Sequence, residues 1–171
     1  RLCRAGLEVH VWNRTAEKNA PLVALGAHAH ADAQDAVRDV DLTITMLEHG
    51  GIVELVLFEQ GVAQGLKTGS LLVDMSSIAP DQARSHATRL HTLGVRYLDA
   101  PVSGGTLGAE QGTLAIMAGG EATDLEEAQT ALQHLGKSTL VGPHGCGQLA
   151  KLANQMIVGI TIGAVAEALL L

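Results

Sequence analysis

The chain has 171 residues, 47% of them hydrophobic, enough to bury one substantial core in one domain. A formal charge of −7 argues against a nucleic-acid partner, and any bound phosphate must be held locally, against the field of the whole chain. Two cysteines, Cys3 and Cys146, exclude a disulfide framework and point to a reducing cytoplasm. Twenty glycines with only 2% aromatic residues predict tight turns and close packing between small side chains.

In chain order, the first residues, Arg1 to Gly6, read as the end of a helix with glycine just past it. Strands are predicted over 8–12, 42–46, 71–75, 96–99, 114–118 and 139–141, with a short one around 27–30. Helices are predicted near 15–25, 32–39, 51–58, 80–93 and 121–135. This alternation is the signature of βα units around a mainly parallel, doubly wound sheet of Rossmann type. The segment 149–171 reads as a further helix, uncharged from Met156 to Ala166 and carrying a G-x-x-x-G pair, Gly159 and Gly163. Asn154 and Glu167 interrupt it before a membrane-spanning length of ~20 apolar residues, so a buried helix of a soluble protein, with no membrane contact, is the expectation. Both ends are abrupt, and the chain reads as a piece of a longer protein.

Three strand ends carry chemistry. After the first strand come Asn13, Arg14 and Thr15, where a dinucleotide fold that binds NAD has an acidic residue for the ribose 2′-hydroxyl. An amide, a guanidinium and a hydroxyl match a 2′-phosphate better, which predicts NADP(H) over NAD(H); Thr15 also reads as a helix cap. After the strand over 96–99, Asp99-Ala100-Pro101-Val102-Ser103-Gly104-Gly105 offers consecutive backbone N–H groups and a hydroxyl suited to a carboxylate, with Asp99 fixing the turn. Gly145-Cys146-Gly147-Gln148-Leu149-Ala150-Lys151 then opens a helix in which Lys151 and Asn154 share a face. A lysine near a helix N-terminus in apolar surroundings has its pKa lowered from ~10.4 towards neutrality. His28 and His30 form an H-x-H without a third ligand nearby in sequence, so no metal site is expected.

These residues, together with Ile44-Thr45-Met46-Leu47, Asp74-Met75-Ser76-Ser77-Ile78-Ala79-Pro80, Gly112-Thr113-Leu114 and Gly119-Gly120, resemble the β-hydroxyacid dehydrogenase family over the whole chain. The resemblance implies an oxidoreductase moving a hydride between NADP(H) and a small β-hydroxy acid or its semialdehyde, of the 3-hydroxyisobutyrate or tartronate semialdehyde type. Lys151 falls on the family's general acid/base and Asn154 on its substrate-orienting asparagine. Ser103, Gly104 and Gly105 fall on its substrate-carboxylate loop, and Met46, Leu47, Ser76 and Ser77 on its nicotinamide side.

It further implies that residues 1–144 are an NADP-binding domain lacking its first strand and G-x-G-x-x-G turn. Residues 145–171 would then start an interdomain helix leading to an absent helical domain, in a homo-oligomer. Glu48 departs from the family's proline, and Asn154-Gln155 departs from the His-Asn pair of the 6-phosphogluconate branch. The alternative from another class is a non-catalytic NADP-binding module serving assembly or regulation.

Overall fold

A computed structural model describes all 171 residues. Eight strands form: β1 (His10–Val11), β2 (His28–Ala29), β3 (Leu42–Thr45), β4 (Leu71–Asp74), β5 (Arg96–Asp99), β6 (Val102–Ser103), β7 (Leu114–Gly119) and β8 (Gly136–Gly142). Between and after them lie α1 (Ala20–Val23), α2 (Ala33–Ala36), α3 (Gly50–Glu54), α4 (Val62–Gly65), α5 (Pro80–Thr92), α6 (Gly105–Gln111), α7 (Ala122–Leu132) and α8 (Cys146–Ala168). β1 and β2 pair in parallel as a small sheet of their own, while the other six strands form one larger sheet.

In the larger sheet β3, β4 and β5 are parallel, and β7 then runs antiparallel to β5 and parallel to β8. Asp99 faces Gly119, Val102 faces Ile116 and Ser103 faces Ala115, so β5 and β6 follow β7 in one unbroken register. Pro101 interrupts the ladder's donors without ending the strand's course, because Pro lacks an N–H but its carbonyl still accepts from Met117. That is why a turn was expected here and a strand was found.

The predicted strands are present, with 96–99 matched in full and 8–12 reduced to two residues. The helix expected at 15–25 is a 3₁₀ turn (Ala16–Asn19) followed by α1, with Pro21 in its first turn, where a missing N–H costs least. The helix expected at 51–58 is α3 continued by a wider π turn over Leu55–Glu59. α4, β6 and α6 were not expected. The N-terminal reading holds: a 3₁₀ turn, Cys3–Ala5, ends at Gly6, whose φ of 84° suits glycine alone.

The two faces of the sheet carry separate apolar clusters. Leu72, Val95 and Tyr97 meet α3, α4 and α5 on one side, and Leu71, Val73, Leu98 and Ile116 meet α7 on the other. β4 is buried at every residue, as a central parallel strand covered on both faces must be. Behind its carboxyl end lies a buried polar network. Asp74 accepts from Thr45 Oγ1, from the Ser76 N–H and from Tyr97 OH, and burial pushes its carboxyl up from the usual range. His86, wholly buried on α5, pairs with Glu54 of α3 at 2.9 Å.

The last helix corrects the expectation of a segment buried on all sides. Only Gly147 and Gln148 of α8 are buried, and from Met156 onward the helix is exposed. Its first turns rest on β5, β7, β8 and α5, and the remainder runs beyond the sheet, where this chain has nothing to cover it. By length and composition alone the helix is long and apolar enough to cross a membrane.

The docking of α8 needs glycine. A Cβ on Gly147 would collide with the backbone carbonyl of Met117 and lie 2.6 Å from that of Asp99, whereas one on Gly159 would meet nothing. Gly147→Ala is therefore expected to cost about 1–3 kcal/mol through overpacking, while Gly159→Ala gains up to about 1 kcal/mol from helix propensity. Urea unfolding of the two variants beside the parent checks both signs; equal midpoints would mean that α8 is not seated as described.

Candidate active site

The site is built at the carboxyl ends of β4 and β5, where α8 begins. Asp99, fully buried, directs its carboxylate at the start of that helix: Oδ1 accepts from the Gly145 N–H at 2.7 Å and Oδ2 from the Gln148 N–H at 3.0 Å. Asp99 was expected to fix the turn after its own strand. It fixes instead a turn 46 residues onward, and no sequence pattern signals that reach. Burial pushes its carboxyl up, while the two backbone donors pull the other way.

Gln148 is the second fastening. Its Nε2 donates to the Ser76 carbonyl at 2.9 Å and its Oε1 accepts from the Ile78 N–H at 3.0 Å, so one buried amide ties α8 to the β4–α5 loop through both of its ends. Ser76 in turn accepts from the Leu47 N–H at 2.9 Å, joining the end of β3 to the same assembly.

One turn beyond Gln148, Lys151 stands half-buried over an open cleft of about 500 Å³. The lining includes His49, Ser77, Gln82, Gln148, Lys151 and Gln155. Burial lowers the Lys151 pKa from its ordinary value. Its Nζ donates to Gln155 Oε1 at 3.1 Å, and Asn154 Nδ2 lies 3.3 Å from that oxygen and 3.4 Å from Ser103 Oγ. Lys151, Asn154, Ser103 and Ser77, the outermost two 77 positions apart in sequence, are thus brought together around the start of α8. Gln155 was not among the expected residues, although its i+4 spacing from Lys151 on a helix is the signal that finds it.

The Gly104-Gly105 pair leads into α6 rather than forming a plain turn, with φ of 134° and 61°. A Cβ on Gly104 would crowd Leu114 at 3.2 Å. Met46 is 55% exposed just past the end of β3, and Ser77 is exposed past the end of β4. Glu48 is also exposed. Asn13, Arg14 and Thr15 lie apart, past the end of β1 in the small sheet, and none lines the cleft. Thr15 does not cap the following turn with its side chain. Asn13 Oδ1 accepts the Thr15 N–H at 2.9 Å instead, which leaves the hydroxyl and the exposed Arg14 guanidinium outward.

The Asp99 fastening is open to direct measurement. Asp99→Ala leaves two buried N–H groups without an acceptor, which is expected to cost about 2–4 kcal/mol in urea unfolding. Asp99→Asn, keeping one acceptor oxygen, should lose less. A loss under about 0.5 kcal/mol for the alanine variant would show the contacts to be dispensable.

The chain matches, over residues 1–145, the family described as the NAD binding domain of 6-phosphogluconate dehydrogenase. It is 43% identical to the 2-hydroxy-3-oxopropionate reductase of Escherichia coli across 99% of this chain and 58% of that protein. It is 36% identical to the mitochondrial 3-hydroxyisobutyrate dehydrogenase of Drosophila melanogaster across 98% of this chain and 52% of that one. Among solved structures, the 3-hydroxyisobutyrate dehydrogenase of Mycobacterium tuberculosis with L-serine superposes with a TM-score of 0.93 at 33% identity, covering 98% of this chain and 57% of that one. The chain therefore spans little more than half the length of these relatives. With an NAD-binding, mainly parallel α/β sheet and these relatives along its whole length, the chain belongs to the β-hydroxyacid dehydrogenase family.

Proposed function

We propose that the whole protein is an NADP(H)-dependent oxidoreductase of small β-hydroxy acids, of the 3-hydroxyisobutyrate or tartronate semialdehyde type, with Lys151 as its proton carrier. The observation that carries this reading is the half-buried Lys151, tethered to Gln155 over a cleft that Ser77 also lines. Residues 1–144 hold the cofactor, and 145–171 lead from it as an interdomain helix of a cytoplasmic homo-oligomer.

The residues present suit a dinucleotide. Met46 offers an exposed apolar face for a flat ring, with Leu47 and Ser77 at the neighbouring strand ends. Ser76, expected to touch the cofactor, is buried and instead holds the Leu47 N–H from beneath. The Arg14 guanidinium forms no ion pair within the chain and is free for a phosphate. Asn13 and Thr15 complete the ribose side, with no carboxylate at that strand end to repel a 2′-phosphate. When bound, a nicotinamide cofactor supplies the hydride in reduction and takes it in oxidation.

The chain's own work is binding and proton transfer. Ser103, Gly104 and Gly105 hold the substrate carboxylate, and Asn154 orients the hydroxyl. In oxidation the neutral amine of Lys151 accepts the hydroxyl proton as the carbonyl forms; in reduction the ammonium returns it. Gln155 holds the amine over the cleft. A small substrate bearing a carboxylate and a β-hydroxyl fits the reading, and L-serine, bound in the Mycobacterium tuberculosis relative, has both.

In the whole protein, Lys151→Ala should lower kcat by ~10²–10⁴ while NADPH titration is nearly unchanged. Because burial depresses the lysine, the rate of oxidation should rise with pH through a value below 10.5, and that limb should vanish in the variant. Retention of more than about a tenth of kcat would place the proton carrier elsewhere, and loss of all turnover in the parent would favour a binding module. Separately, the double exchange Asn13→Asp, Arg14→Leu should reverse the preference for NADP(H); kcat/KM with both cofactors checks it, and unchanged selectivity would remove residues 13–15 from the ribose site.

A further inference from the structure

We propose that His10, His28 and His30 form a binding site for a divalent transition metal of the zinc class on one face of the β1–β2 sheet, apart from the cleft and from the oxidoreductase reading. In sequence His28 and His30 are a bare pair, two ligands short of a zinc shell. The parallel register changes this, because His10 lies directly opposite His28. His10 in β1 and His28 in β2 are register partners and share a face, and Glu8 and His30, each two residues away in the flanking extended chain, fall on that face by alternation. Both His28 and His30 bring their rings to 5.1 Å from the His10 ring.

The hydrogen bonds fix which nitrogens are open to a metal. His10 Nε2 lies 3.3 Å from Glu8 Oε1, and a carboxylate can only accept, so that nitrogen carries the hydrogen. The lone pair of neutral His10 is then on Nδ1, 2.8 Å from His30 Nε2. A histidine donating one ring nitrogen to a carboxylate while presenting the other is the arrangement by which outer carboxylates orient metal ligands. Two nitrogens at ~2.0–2.1 Å from one tetrahedral ion stand roughly 3.3 Å apart, so the ion replaces the shared hydrogen with an opening of about half an ångström.

As they stand, the donors do not converge on a single point. His28 is exposed, and a turn of its ring, whose centroid stands 5.1 Å from that of His10, is the adjustment the proposed site requires for a third nitrogen. Three imidazoles leave a fourth position to water and select zinc, nickel or copper over magnesium or calcium, which prefer oxygen. None of the four residues lines the cleft.

Zinc titration in competition with a chromophoric chelator, near neutral pH, tests the site. One zinc per chain is expected, with affinity reduced more than tenfold in His30→Gln and by about tenfold in Glu8→Gln, and no competition from magnesium. His91→Gln, an exposed histidine on α5, should leave the affinity unchanged. Should His10→Gln fail to fold, the exposed His28 and Glu8 variants carry the test. Absence of saturable zinc binding, or equal affinity in the parent, His30→Gln and Glu8→Gln, would overturn the proposal.

Discussion

The carboxylate of Asp99, buried at the end of β5, is the constraint from which the site follows. A carboxylate placed where water cannot reach is costly unless donors surround it, and here the donors are the first free N–H groups of α8, at the positive end of its dipole. The same contact therefore satisfies a charge and two orphan amides at once. Because it fixes both the start and the direction of the helix, the side chain one turn later has only one place to go, and that side chain is Lys151.

Around this contact the chain is built from small residues because the backbones come too close for anything else. Gly119 on β7 and Gly147 on α8 face the Asp99 side chain from two directions, each within 3 Å of where a Cβ would sit. Bulk at those two positions would lift the helix off the sheet. Gln148 then couples the helix to the β4–α5 loop, and Ser76 couples that loop to β3. Three strand ends and one helix start are thereby held as a unit by buried hydrogen bonds, whose worth depends on every member being satisfied.

Behind the unit lies the network of Asp74, Tyr97, Thr45 and Ser76. It keeps a second carboxylate under the same strand ends, fed by hydroxyl and amide donors rather than by cations. The edge-on contact of His86 with Tyr97, and its pairing with Glu54, extend this network to α3, whose first residue lines the cleft. Floor and rim of the cleft are consequently parts of one polar framework, while the two apolar clusters lie to either side of it.

The sequence by itself determined the strands, the longer helices and the type of sheet, because period-2 and period-3.6 patterns and the Pro and Gly signals that bound them are local. It also marked Lys151, Asn154 and Ser103, whose residue types in glycine-rich strand-end motifs stand out without a partner in view. Short elements such as α4 and α6 escaped it, having too few residues to show a period, and β6 was hidden by Pro101. Only the tertiary structure decided which groups meet: Asp99 with Gly145 and Gln148, Asn154 with Ser103, His10 with His28 and His30. Those contacts span 18 to 51 residues, and they depend on strand register and helix docking, which set distances between segments that no spacing along the chain encodes.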